Sequence, residues 1–182
     1  MPFDHFDFIA PIYARVTYSG LDKMRELAGL PINGRVLDIG GGTGRVASAL
    51  LQDVDEVVIA DVSMGMLRQA HRSTLKPVCS HSESLPFPDS FFERVIMVDA
   101  LHHVIDQPAS AREMLRVLKP AGRIIIEEPD INAFAVKLIA LAEKLLLMRS
   151  HFLSPLQIAS LFPDGSTNIV MEDSSAWVVI SK

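Results

Sequence analysis

Short apolar, β-branched runs alternate along the chain with segments whose apolar residues recur every three or four positions. The runs predict strands near 35–39, 56–60, 77–80, 94–98 and 122–128, and the intervening periodicity predicts helices near 21–29, 44–53, 63–73 and 109–118. Residues 95–98 are apolar throughout, as a strand covered on both faces must be. Strand and helix taking turns in this way mean an α/β fold with a parallel sheet. The tail breaks the pattern: 167–172 and 176–181 flank Asp173-Ser174-Ser175 and read as an antiparallel hairpin. Before it, Phe134, Leu138, Leu141, Leu145 and Met148 fall at spacings of 4, 3, 4 and 3, which predicts a helix over 133–148 with a wide apolar stripe. Ser154-Pro155 then opens a short helix that runs through Phe162, with Ser154 as its N-cap.

The first predicted strand ends in a glycine turn, Leu37-Asp38-Ile39-Gly40-Gly41-Gly42-Thr43-Gly44. Four glycines remove side chains where the backbone turns sharply, and the helix after it, with Val46, Ala49 and Leu50 on one face, points free N–H groups back above the strand. A turn of this kind suits a nucleotide, although any doubly wound sheet needs a tight first βα turn. The dinucleotide fingerprint wants glycine at the first, third and sixth positions; Gly40 and Gly42 supply two, and Arg45 stands in the sixth. Asp61 closes the second predicted strand, twenty-one positions after Gly40. That spacing brings a carboxylate to the neighbouring strand's tip, where its two oxygens fit a ribose diol. A capping role for Asp61, and an N-cap role for Ser63, are the plainer alternatives.

Read as Asp38-x-Gly40-x-Gly42-x-Gly44, the turn resembles motif I of the class I S-adenosylmethionine-dependent methyltransferases. Three further segments, in order, resemble the ubiquinone and menaquinone biosynthesis type of that family: Glu83-Ser84-Leu85-Pro86-Phe87, Leu101-His102-His103-Val104, and Leu118-Lys119-Pro120-Ala121-Gly122 with the strand after it. Asp61-Val62-Ser63 followed by Met66-Leu67 fits the same pattern. The resemblance implies a Rossmann-like, doubly wound sheet of seven strands in the order 3-2-1-4-5-7-6, ending in the antiparallel hairpin. It implies S-adenosylmethionine as cofactor and S-adenosylhomocysteine as product. Asp38, Gly40, Gly41, Gly42, Gly44 and Met66 would contact that cofactor, Asp61 the ribose, and Val62 the adenine. At the adenine amino group, relatives carry an Asp where this chain has His81. A neutral imidazole can accept that hydrogen bond and His⁺ cannot, so affinity should weaken in acid. The backbone N–H of Ser82 would serve the ring beside it.

Asp99 and Ala100 follow the fourth predicted strand, where they would line the methionine end or the acceptor space. His102 and His103 come next and are candidates for a general base; membership of the following helix is the alternative. Asp99 with the two histidines could be imagined around a metal, but no second acidic ligand accompanies them, and no metal is expected. The opening of the chain, through Phe8, Ala10 and Tyr13, resembles the family's mobile aromatic cover, with Tyr13 and Tyr18 as candidates and Ala14 where relatives carry an Asp.

Composition narrows the setting. The 182 residues fit one domain, divided as an N-terminal helical cover (1–32), a cofactor-binding core (33–130), acceptor-side helices (131–166) and the hairpin (167–182). With 17 basic against 22 acidic residues, scattered and summing to −5, nucleic acid is not an expected partner. A single cysteine and the lack of a secretory opening make the cytoplasm the expected compartment, with Cys79 a small core residue. The 133–148 stripe could pack on the sheet or form a homodimer, wall an apolar acceptor, or touch a membrane surface; at 16 residues with internal charges it is no transmembrane span. The expected activity is methyl transfer to a small, apolar or aromatic acceptor. A binding module without catalysis and an NAD-linked oxidoreductase are the alternatives.

Overall fold

A computed structural model describes residues 18–70, 75–131, 150–172 and 175–182. Its strands are β1 (Arg35–Ile39), β2 (Glu56–Asp61), β3 (Lys76–Cys79), β4 (Phe92–Val98), β5 (Leu118–Pro129), β6 (Ser166–Glu172) and β7 (Ser175–Ser181). They form one sheet in the order β3-β2-β1-β4-β5-β7-β6. The first five are mutually parallel; β7 runs antiparallel to β5 and β6 antiparallel to β7. Both the order and the terminal hairpin are those expected from the sequence.

Strand alternation sorts the core into two layers. Leu37, Val58, Val95, Met97, Ile124, Ile126, Val178 and Ile180 pack on one face, together with α4 (Gln107–Val117) and α5 (Pro155–Ser160). Val36, Val57, Ile59, Ile96, Ile125 and Trp177 pack on the other, beneath α1 (Leu21–Ala28), α2 (Arg45–Leu50) and α3 (Met64–Ala70). Local chemistry sets the helix ends. Gly29 closes α1 in the left-handed conformation, Asp106 caps α4 by accepting from the Ala109 N–H at 2.9 Å, and Ser154 with Gln157 forms a reciprocal capping box on α5.

Several boundaries move. α2 stops at Leu50 rather than 53, since the chain turns there to bring Asp53 beneath α1, where it accepts from Arg25 at 2.9 Å. β5 begins at Leu118 because Leu118 pairs with Phe92 across a register shift ahead of the regular ladder from Arg94 and Arg123. Cys79 is exposed, not core: β3 is the edge strand, and its thiol lies 3.7 Å from the Val62 carbonyl. The 133–148 helix, the turn at 173–174, Tyr13 and Ala14 lie outside the described residues.

The strand order reverses between β1, which leads outward to β2 and β3, and β4, which leads the other way. Ligands of open α/β sheets bind in the crevice beyond the carboxyl ends of the strands at this switch point.

Candidate active site

A cleft of about 480 Å³ opens at that point, lined at one end by the glycine turn and at the other by His102, His103 and Phe152. Gly42 adopts φ +54°, and a Cβ there would meet nothing closer than Met66 Sδ at 3.8 Å and Asp61 Oδ2 at 3.9 Å. The turn therefore presents bare backbone to the cleft. Gly44, expected from the sequence to touch the cofactor, also has a packing role. Its φ is +79°, and a Cβ would lie 2.5 Å from Leu75 Cδ1 and 3.0 Å from Ile59 Cδ1, so it faces the core and lets α2 sit close on the sheet. It is absent from the cleft wall.

Asp61, at the tip of β2, accepts from the Gly42 N–H at 2.9 Å through Oδ2 and from the Ser63 N–H at 2.8 Å through Oδ1. Two backbone donors fix the plane of the carboxylate, and a carboxylate oxygen can accept more than one hydrogen bond. Ser63 is also the N-cap the sequence allowed, its Oγ accepting from Met66 N at 3.2 Å. Asp38 lies deeper. It is fully buried, its Oδ2 has no hydrogen-bond partner among the described residues, and burial together with the nearby Asp61 charge pushes its carboxyl up to about 7. The Ala47 N–H donates to the same carboxyl, and the orphan oxygen lies beneath Gly41, so Asp38 acts on the cleft through its charge, which favours a ligand that brings positive charge.

Val62, Met66, His81 and Ser82 close the side wall, with His81 and Val62 exposed and Ser82 buried. Gly40, Gly41 and Ala100 complete the wall near the turn. Asp99 stands at the mouth in the left-handed conformation (φ +51°), 3.8 Å from the Arg45 guanidinium. The low-dielectric walls around it and the nearby Glu128 charge push its carboxyl above the usual range. Behind this pair, Arg45 lies 5.5 Å from the Tyr18 ring, and the Tyr18 hydroxyl donates to Glu127 Oε2 at 2.6 Å. Burial raises both partners, Glu127 to about 7 and Tyr18 well above the ordinary phenol value, so the contact is a fixed hydrogen bond at neutral pH.

The far end holds residues that sequence reasoning missed. His102 and His103 belong to a separate turn of 3₁₀ helix, Leu101–His103, and not to α4. His102 Nδ1 lies 2.6 Å from Glu128 Oε2, while Glu128 Oε1 accepts from the N–H groups of Ala100 (2.9 Å) and Leu101 (2.7 Å). Phe152 stacks on His102 at 4.3 Å, with ring planes 10° apart. His103 lies 4.0 Å from His102 and 3.4 Å from Ser150 Oγ, and burial beside His102 pushes it down to about 4, which keeps it neutral. Gln107 Nε2 ties the two segments by donating to the Leu101 and His151 carbonyls. Glu128 was legible only as an acid closing an apolar strand, and Phe152 carried no signal at all.

Fold, turn and cleft describe a nucleotide-cofactor enzyme of the doubly wound class. Residues 37–126 match the family model for the methyltransferase domain. The chain is 40% identical over 114 residues to the ubiquinone/menaquinone biosynthesis C-methyltransferase UbiE of Pseudomonas putida, a match covering 57% of this chain and 44% of that protein. UbiE of Coxiella burnetii is 39% identical over 105 residues, covering 52% and 42%. These matches span less than half the length of the curated relatives. A solved SAM-dependent methyltransferase of Thermotoga maritima, described as a possible histamine N-methyltransferase, superposes with a TM-score of 0.80 at 22% identity, covering 97% of this chain and 98% of that one. Residues 37–126 thus carry a methyltransferase domain, set in a fold shared with solved S-adenosylmethionine-dependent methyltransferases.

Proposed function

We propose that this chain transfers a methyl group from S-adenosylmethionine to a small acceptor of apolar or aromatic character, in the cytoplasm. The observation that carries the reading is a continuous cleft joining a glycine turn and ribose-type carboxylate to an aromatic and histidine wall. Asp61 would hold the ribose hydroxyls, Val62 and Met66 the adenine faces, and His81 with the Ser82 N–H the adenine edge. The orphaned Asp38 Oδ2, supported by Asp99, suits the positively charged methionine end. When bound, the cofactor supplies an electrophilic methyl group. The residues around it align an acceptor, exclude water and, where the acceptor must lose a proton, take it.

Phe152, Val104 and the exposed Ile105 give the acceptor end an apolar wall beside the two histidines. The curated relatives are named C-methyltransferases of ubiquinone and menaquinone biosynthesis, and an electron-rich ring is the acceptor such a wall suits. Among the described residues no helix is long and apolar enough to cross a membrane. Homodimerisation through 133–148 belongs to the same reading. Thermal unfolding with S-adenosylmethionine and with NADH added separately tests it, since a ligand of the native state raises the melting temperature. Stabilisation by S-adenosylmethionine alone is expected; stabilisation by NADH alone would overturn the assignment.

A further inference from the structure

The two histidines at the acceptor end are not equivalent, and the difference lies in the third residue beside them. His102 is held on three sides. Its Nδ1 meets Glu128 Oε2 at 2.6 Å, Phe152 stacks on its face, and its carbonyl accepts from the His151 N–H at 2.7 Å. Glu128 is itself buried at 3% exposure, and its other oxygen is anchored by two backbone N–H groups. A carboxylate held in this way is an acceptor only, so at a neutral ring it takes the Nδ1 proton and leaves Nε2 as the basic atom. His102 is among the residues that line the cleft. His103 sits differently: its Nδ1 faces a serine hydroxyl, and the His102 ring lies against its own.

We infer that Glu128 is a positioning residue that holds His102 as the Nδ1–H tautomer, making His102 Nε2 the proton acceptor during methyl transfer. This rests on the methyltransferase reading of the cleft and deepens it. The acceptor's electron pair forms the new bond to the methyl carbon as the carbon–sulfur bond breaks, with that bond's pair remaining on sulfur. The acceptor's proton passes to Nε2, and the Glu128 carboxylate stabilises the imidazolium that results. The arrangement suits acceptors that must shed a proton, such as ring carbons and hydroxyls of phenols and hydroquinones, over ones that attack as preformed anions. Aromatic stacking from Phe152 and the anchored carboxylate mean that little reorganisation is needed when the charge appears.

Nitrogen NMR of protein labelled at its histidine rings tests this directly, with the His102 signals assigned by their loss in His102→Gln. At about pH 8, where an ordinary imidazole is neutral, Nδ1 should be protonated and Nε2 unprotonated. Glu128→Gln keeps an oxygen for the Ala100 and Leu101 N–H groups but turns an amide donor toward Nδ1, so the tautomer should reverse. Calorimetry should find S-adenosylmethionine affinity within about twofold of wild type, while kcat with a hydroquinone probe falls by about 10²- to 10⁴-fold. A wild-type His102 carrying its proton on Nε2, or a Glu128→Gln protein that keeps the wild-type tautomer or the wild-type kcat, would overturn the inference. Should Glu128→Gln not fold, the wild-type tautomer alone decides. Failure of the wild type to bind S-adenosylmethionine would instead overturn the cofactor reading, which the tautomer does not touch.

Discussion

The two ends of the cleft each carry a buried carboxylate, and the two are satisfied in opposite ways. Glu128 meets three protein groups, two backbone N–H donors and the His102 ring, and needs nothing from outside. Asp38 is just as deeply buried, yet one oxygen has no partner among the described residues and its carboxyl is pushed up to about 7. Burying an oxygen without a donor costs stability, and perturbed carboxyls of this kind cluster at functional sites. The histidine end is therefore a fixed tool, whereas the glycine end is unfinished until the cofactor arrives.

Apart from the ribose carboxylate itself, removing the unfinished charge should have the largest effect on binding. Asp38→Asn is expected to weaken S-adenosylmethionine by about tenfold, through loss of a nearby opposite charge in a low-dielectric site, as measured by calorimetry. The same substitution should stabilise the unliganded protein at pH 8. Asp38 and Glu127 both have folded-state values raised to about 7, so folding favours their protonated forms. The stability they contribute is complete below the unfolded carboxylate range near 4 and is lost as pH rises through about 7, each tenfold difference in proton affinity between folded and unfolded chain being worth ~1.4 kcal/mol before solvent screening. Melting temperature of the unliganded wild type should thus fall between pH 5 and pH 8 through these two groups, and Asp38→Asn should flatten part of that fall. A cation arriving beside Asp38 ionises it, so binding should release a proton and tighten with rising pH. His81 predicts the same direction; a pH dependence that survives in His81→Ala and vanishes in Asp38→Asn separates the two.

A smaller effect distinguishes strain at the site from strain elsewhere. Asp99 and Ala121 both hold left-handed backbone, φ +51° and +62°, without being glycine. Ala121 stands in the turn that leads into the regular part of β5, away from the cleft wall, so Ala121→Gly should raise stability by ~1 kcal/mol in denaturant unfolding and leave cofactor affinity unchanged. An affinity change on that substitution would mean that the turn and the site are coupled.

How much of this was legible follows the same division. The glycine end is local: strand, turn, helix and the Asp61 spacing lie within a short run of sequence, and Asp38, Gly40, Gly42, Asp61, Val62 and Met66 all reach the cleft wall. Gly44 faces the core, which motif membership could not say, because a motif does not show which side of the turn a Cβ would face. The histidine end is assembled from three distant pieces, 100–103, 127–129 and 150–152, joined by Gln107 and Glu128. Periodicity cannot pair such segments. Glu127 and Glu128 are adjacent in sequence yet serve opposite faces of the sheet, one Tyr18 and the other His102, a separation that only strand alternation on a placed strand reveals. Cys79 was misplaced for a related reason, since nothing in a four-residue run says that its strand is an edge.

Everything at the glycine end turns on the carboxylate at the tip of β2, fixed by the Gly42 and Ser63 N–H groups and proposed to hold the ribose of S-adenosylmethionine. Calorimetry of wild type and Asp61→Ala with S-adenosylmethionine tests that role most directly. Measurable binding to wild type and a loss of about tenfold to a hundredfold in the variant are expected, with both proteins folded by thermal melt. Equal affinities in the two proteins would contradict it.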